Sequence, residues 1–296
     1  MHRSTGRIVA AAACLAAAVV TQVARDRAYP REAPATQAML YVRSPEAVKR
    51  MVLGFDALAA DIYWIRAIQH FGGQRLAEPG QPRSYHLLYP LLDLTTALDP
   101  YFNIAYRFGA IFLSEPYPGG PGRPDLAVAL LRRGIAVQPG KWQYYHDIGF
   151  VHYWSLDDPT TAAAWFQRAA EQPEAPNWLM PLAAAMLTQG ADRVSARYLW
   201  QQIRSSAEEW LRRSADRALM QLDALDQIDA LNAIVASMPP PAGHGYSWLP
   251  LVRAGRLRGI PLDPSGTPYE MDPSTGRVRV SERSPLFPLP AGVHGR

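Results

Sequence analysis

Four histidines, His70, His86, His146 and His152, and the aspartates Asp61 and Asp93 are the residues of this 296-residue chain whose types suit chemistry. None of the histidines forms an HExxH or an i, i+4 pair, the spacing that sets two imidazoles on one helix face for zinc. Cys14 is the only cysteine, which excludes a disulfide framework and a cysteine metal site. There is no Gly-x-Ser-x-Gly elbow and no Gly-x-x-x-x-Gly-Lys loop, and Gly119 to Gly122 lacks the lysine and the adjoining strand of a phosphate cradle. Asp61 lies inside an apolar run near Arg66, where it reads as an acid, a ligand or, more plainly, a buried polar group that braces a neighbouring helix. The expectation is a chain without catalytic residues, cofactor or metal, and not an enzyme.

The elements that would position these side chains are helical. Hydrophobic residues make up 48% and charged residues 19%, enough apolar matter for a sizeable core. The formal charge of +4 comes from 30 basic and 26 acidic residues spread without a run, so no clustered basic face points to nucleic acid. Arg3 and Arg7 precede an apolar stretch from Ile8 to Ala24, and Arg25-Asp26-Arg27 follows it. A cationic start before an apolar stretch reads as an export signal or signal anchor, with Ala11-Ala12-Ala13-Cys14 as a weaker lipidation site. Residues 1–27 are the expected anchor, residues 28–43 a Pro-rich tether, residues 44–238 a helical domain and residues 239–296 a tail. Ser44-Pro45-Glu46 starts the helical domain with a cap and a first-position proline, and the pattern continues to Gly72.

Small residues recur at helical spacing further on. Gly149 and Tyr153 precede a short break, then Ala162-x-x-x-Phe166-x-x-Ala169-x-x-x-Pro173; Gly109 precedes Ala127-x-x-x-Leu131-x-x-Gly134, with a Pro/Gly insertion between. A third copy runs from Trp178 through Ala196-x-x-x-Trp200, and Tyr85 to Leu98 reads as the second helix of a degenerate one. The pattern resembles the tetratricopeptide repeat (TPR), a helical hairpin of about 34 residues, and the run from Val52 to Gly109 resembles membrane-anchored bacterial proteins of that family. The resemblance implies a mainly α fold: a TPR-like α-solenoid of helical hairpins with an N-terminal membrane helix and a small C-terminal helix plus β-hairpin module. It further implies a concave groove, and its groove-facing positions fall on Asn103, Tyr106, Gln143, His146, Phe150, Tyr153 and Trp178, where a protein or peptide partner would lie.

Ala207 to Met238 carries a long apolar stripe suited to closing the last repeat. Beyond Pro239 the pattern changes to a short helix at Trp248 to Ala254, Pro/Gly turns and the alternating Arg277-Val278-Arg279-Val280. Residues Pro261 to Tyr269 resemble the end of type II secretion major pseudopilins. Together these readings imply a single-pass inner-membrane protein with its bulk in the periplasm, attached through residues 8–24. Its expected role is a membrane-anchored extracytoplasmic scaffold in an envelope assembly related to pili or secretion. The alternative is an envelope hydrolase or glycan-acting enzyme using acids such as Asp61 or Asp93 in the groove.

Overall fold

The computed structural model describes residues 2–28, 44–78, 80–240 and 245–290, with the first helix's side chains described at 13–25 and 27. The helices are α1 (His2–Ala28), α2 (Pro45–Met51), α3 (Asp56–Arg75), α4 (Leu88–Leu98), α5 (Asn103–Ser114), α6 (Pro124–Val137), α7 (Trp142–Ser155), α8 (Pro159–Ala170), α9 (Leu179–Gln189), α10 (Arg193–Arg204), α11 (Glu209–Ala236) and α12 (Trp248–Arg253). Strands β1 (Glu270–Met271) and β2 (Val278–Arg279) pair antiparallel, Glu270 opposite Arg279 and Met271 opposite Val278. The chain divides into two compact units, Met1–His70 with His86–Asp99, and Phe71–Tyr85 with Pro100–Arg296.

In the first unit Ser44 caps α2 by accepting from the Ala47 N–H, and Pro45 occupies the first helical position, where its missing N–H has no cost. The expected continuous helix breaks after Met51, because Leu53 and Gly54 adopt left-handed conformations and α3 restarts at Asp56. Helix α3 buries Ala59, Ala60, Tyr63 and Ala67 and turns Leu58, Ile62 and Ile65 outward. Asp61 is on the exposed side, which corrects its reading as a buried brace. Helix α4 packs against the short α2, so it is not the second half of a repeat hairpin. Among the described residues no helix is long and apolar enough to cross a membrane. In α1 the apolar run from Ile8 gives way to Thr21 and Gln22, short of the ~20 apolar residues a span requires. The membrane helix, the attachment through residues 8–24 and the single-pass inner-membrane placement are therefore corrected. The tether at residues 29–43 lies outside the described residues.

In the second unit consecutive helices pack in chain order from α5 to α11. Helices α7 and α8 approach closely: a Cβ on Gly149 would stand 2.6 Å from Cε1 of Phe166, a ring only 2% exposed. Asp158 caps α8 from the Thr161 N–H, Asp192 caps α10 from the Ser195 N–H, and Pro159 opens α8. Ala162, Ala163 and Phe166 of α8, Ala183 and Ala184 of α9, Ala196 and Trp200 of α10, and Leu211, Leu219 and Leu222 of α11 form one buried cluster. The Pro/Gly insertion is held in place, since the Tyr85 hydroxyl and Arg83 guanidinium both donate to the Pro118 carbonyl.

Helix α11 is 28 residues long, about 42 Å at ~1.5 Å per residue, and its second half leaves the first cluster for another. There Ala224, Leu231 and Val235 meet Leu251, Tyr269, Val278, Val280 and Leu286 of the tail. Polar side chains of α11 complete the docking: Gln221 donates to the carbonyls of Leu286 and Pro288, and Asn232 accepts from the Val278 N–H at the open edge of β2. Asp263 organises the preceding loop, accepting from the Ser265 and Thr267 N–H groups and the Ser265 and Ser284 hydroxyls. Burial raises its pKa, and these donors more than offset that, leaving the carboxyl below its ordinary value. The observed fold is thus a mainly α domain with a small C-terminal antiparallel β-hairpin. The expected TPR-like α-solenoid with an N-terminal membrane helix is corrected, because α4 packs on α2 outside the repeat order and no described helix can cross a membrane.

Two outcomes follow from this packing. Gly149→Ala should lower unfolding free energy by about 1–3 kcal/mol through overpacking against Phe166, and Phe166→Leu in the same chain should recover part of the loss, measured by denaturant titration. His70, whose imidazole is mostly buried beside His86, has its pKa lowered to about 4 by burial first and by the charge of His86 second. A depressed histidine is neutral in both states above pH ~6.5, so the penalty appears as pH falls from there toward 4, where only the unfolded chain takes the proton. The melting temperature of the parent should fall over that window more steeply than that of His70→Gln; parallel curves would refute the assignment.

Candidate functional site

The face formed by α5 and α7, with the start of α9 beside it, carries the exposed aromatic side chains Phe150, Trp154 and Trp178. Helix α5 buries Ala105, Tyr106, Gly109, Ala110 and Leu113 and leaves Ile104, Phe108 and Ile111 exposed at i, i+4 and i+7. Helix α7 buries Tyr144, Ile148, Gly149 and Val151, and Phe150 and Trp154 stack outward with centroids 6.2 Å apart and planes 6° from parallel. At its N-terminal end Trp142, His146 and Trp178 form a mutually perpendicular trio. The centroid separations are 6.1, 6.0 and 5.6 Å and the interplanar angles 79°, 86° and 89°. His146 also lies 5.4 Å from the Phe166 ring, so the residue that fixes the α7–α8 approach also backs the trio.

A polar link crosses between the two helices. Arg107 Nε and Nη2 donate to the two carboxylate oxygens of Asp147 at 2.6 and 3.2 Å, and His146 Nδ1 lies 3.0 Å from Asp147 Oδ1. Hydrogen bonding to Asp147 raises the Arg107 pKa above its ordinary value against the opposing pull of burial, so the guanidinium keeps its charge. The tautomer that donates Nδ1–H to Asp147 leaves Nε2 as an acceptor. No hydroxyl or thiol among the described residues is hydrogen-bonded to His146, so the nucleophile of a triad is missing from this arrangement. Among the described residues no group of three or more His, Cys, Asp or Glu is placed to hold a metal ion.

The seven residues expected in a groove divide into three sets. His146 and Trp178 come together in the aromatic trio, and Phe150 is exposed beside Trp154. Tyr106 is fully buried, its ring 5.4 Å from that of Tyr144. Asn103 accepts from the Tyr144 hydroxyl and from Gln138, and Tyr153 packs on the α8–α11 cluster. Gln143 is half-buried on α7. Sequence reasoning missed Trp142, Trp154, Phe108 and the Arg107–Asp147 pair. The pair had a readable signal: each member stands two residues before the glycine, Gly109 or Gly149, that aligns the two helices.

Comparison of the chain with models of known protein families, with curated proteins and with solved structures finds no match. The resemblance to tetratricopeptide repeats, and that of the tail to major pseudopilins, are corrected accordingly. Small residues spaced as Ala162 and Ala169 are what any closely packed helix pair requires, and Asp263-Pro-Ser-Gly is what a side-chain-braced turn requires. The membrane-anchored envelope scaffold and its alternative, a groove hydrolase, lose their basis with the family and the membrane helix. Asp61 is exposed on α3 and Asp93 is half-buried on α4, and neither belongs to the aromatic face.

Asp147→Ala removes the acceptor shared by Arg107 and His146. Because Arg107 is 40% exposed, the stability loss should be modest, about 1 kcal/mol. The near-ultraviolet circular dichroism of Trp142 and Trp178 should change with it, while far-ultraviolet signal stays constant.

Proposed function

We propose that the chain acts by binding rather than by catalysis, and that the α5–α7 face receives the apolar side of a helix from a partner polypeptide. The observation that carries this reading is the outward Phe150–Trp154 stack on α7. Trp154 is 64% exposed, and a folded chain leaves large aromatic side chains clustered in water mainly where something covers them. A helix partner fits because its own apolar residues repeat at the same three- and four-residue spacing. The ionised Arg107–Asp147 link between the two helices offers polar partners that would set the register of such a helix along the face.

The test uses a displayed library of amphipathic helical peptides selected on the full chain. Selected peptides should carry apolar residues at i, i+4 and i+7, and Phe150→Ala with Trp154→Ala should weaken their binding by about thirtyfold, the effect of removing an aromatic anchor. Both side chains are exposed, so the melting temperature should change little. Peptides that bind the double variant as tightly as the parent would overturn the proposal.

A further inference from the structure

The first unit carries a row of apolar side chains that its own core does not use. Phe55, Leu58, Ile62 and Ile65, spaced three, four and three residues apart, are between 47% and 69% exposed. Phe55 belongs to the row because its carbonyl accepts the Ala59 N–H, which places it in the first turn of α3. Alternating steps of three and four bring all four onto one narrow strip, the a and d positions of a two-stranded coiled coil. Ala59, Ala60, Tyr63 and Ala67, which α3 buries, lie on the other side, so the strip is the outward face of a helix already packed in its unit. Single exposed apolar side chains are ordinary, but these four, with Met51 and Leu53 exposed just before them in the chain, put on the order of 500 Å² in water, the size that marks an interface.

The charges beside the strip are complementary to themselves. With Ile62 at an a position, the exposed Asp61 falls at g and the half-buried Arg66 at e, on opposite flanks of the strip. In two parallel copies a g residue faces the e residue five places later on the other helix. Asp61 then faces the partner's Arg66, and the two-fold axis makes the contact twice. In one copy the Arg66 guanidinium lies over the Tyr63 ring, 5.6 Å from its centroid, and a planar guanidinium keeps such stacking while its edge donates to a carboxylate. An antiparallel pair would set g against g and e against e, where Asp61 meets only Gly54, Asp61 or Ile68 and finds no cation. The apolar run of α1 has no charged residue from Ile8 to Ala24, so as an occupant it would leave both charges to water.

We propose that the strip is covered by a second copy of this chain, in a parallel two-fold dimer whose seam is Phe55, Leu58, Ile62 and Ile65 of each α3, flanked by two Asp61–Arg66 pairs. Two such strips cover on the order of 1,000 Å² in total, the low end of specific interfaces, so the dimer dissociates on dilution. Two heptads are too few to hold free peptides together. Here α3 is already kept helical by its own unit, and association does not bear the cost of forming it.

The experiment is sedimentation equilibrium of the full chain at neutral pH, over about 1–100 μM, where an interface of this size should show a monomer–dimer equilibrium. Ile62→Glu with Ile65→Glu should weaken association about thirtyfold or more, and because both side chains are exposed the melting temperature of the dilute chain should change little. Asp61→Arg and Arg66→Asp should each weaken self-association, and the two variants mixed should pair with each other more tightly than either pairs with itself. That cross-preference is what a parallel Asp61–Arg66 contact predicts and what a general apolar stickiness would not give. In a Cys14→Ser background, Ile62→Cys should form a self-linked disulfide dimer on mild oxidation, since a parallel seam sets each a residue opposite its own copy. A chain that stays monomeric over the whole range, a dimer that survives the Ile62 and Ile65 double variant, or mixed charge variants with no preference for each other would each overturn the proposal.

Discussion

The α5–α7 face depends on one contact, the approach of α7 to α8 at Gly149 and Phe166. The Phe166 ring occupies the place where any side chain at 149 would begin, so the two helices meet at a distance that only glycine permits. Helix α7 is aromatic around much of its circumference, and an apolar stripe alone does not decide which of its rings go inward. The glycine decides it. With residue 149 turned to Phe166, Tyr144 and Ile148 enter the core, Asp147 turns toward Arg107, His146 meets Trp178, and Phe150 and Trp154 are left in water. An exposed aromatic face arises here because the core has room for only one side of an over-apolar helix.

Helix α11 plays the corresponding part for the tail. A piece with two two-residue strands cannot bury enough area to stand alone, and the hairpin borrows its core from Ala224, Leu231 and Val235. Apolar packing alone would let such a hairpin slide along a helix. The side-chain bonds of Gln221 to two tail carbonyls and of Asn232 to the Val278 N–H set its position and cover a sheet edge that would otherwise attract another strand.

Helix positions were largely legible in the sequence, because the small residues that permit close packing are spaced by the helix itself: Ala162, Phe166 and Ala169 are all buried on one face of α8. The turn chemistry of the tail was legible for the same local reason, through Asp263 and the Asp272-Pro-Ser-Thr-Gly segment. The break at Leu53 and Gly54 was hidden, because residues on both sides keep helical propensity and only the backbone conformation marks the boundary. Groove assignment by analogy to a repeat placed Tyr106 on a surface, whereas its ring fills the space between α5 and α7 beside Tyr144. Helical spacing fixes which residues share a face; which face is covered depends on partners far away in the chain. The Arg107–Asp147 link, forty residues apart, belongs to that second kind of information.

Part of the arginine charge described in this fold is paired within it, and that pairing shapes the candidate site. Arg193 and Arg197 of α10 interleave with Asp223, Asp226 and Asp229 of α11, Arg107 is held by Asp147, and Arg279 by Glu270. Exposed pairs of this sort add little stability each, about 0–1 kcal/mol, and their larger effect is to remove net field from the surfaces they occupy. A ligand approaching the α5–α7 face then meets apolar area with one neutralised link at its centre, which rewards shape and spacing more than charge. Where a guanidinium already has its carboxylate, as Arg107 has in Asp147, the surface around it is left to apolar shape and spacing.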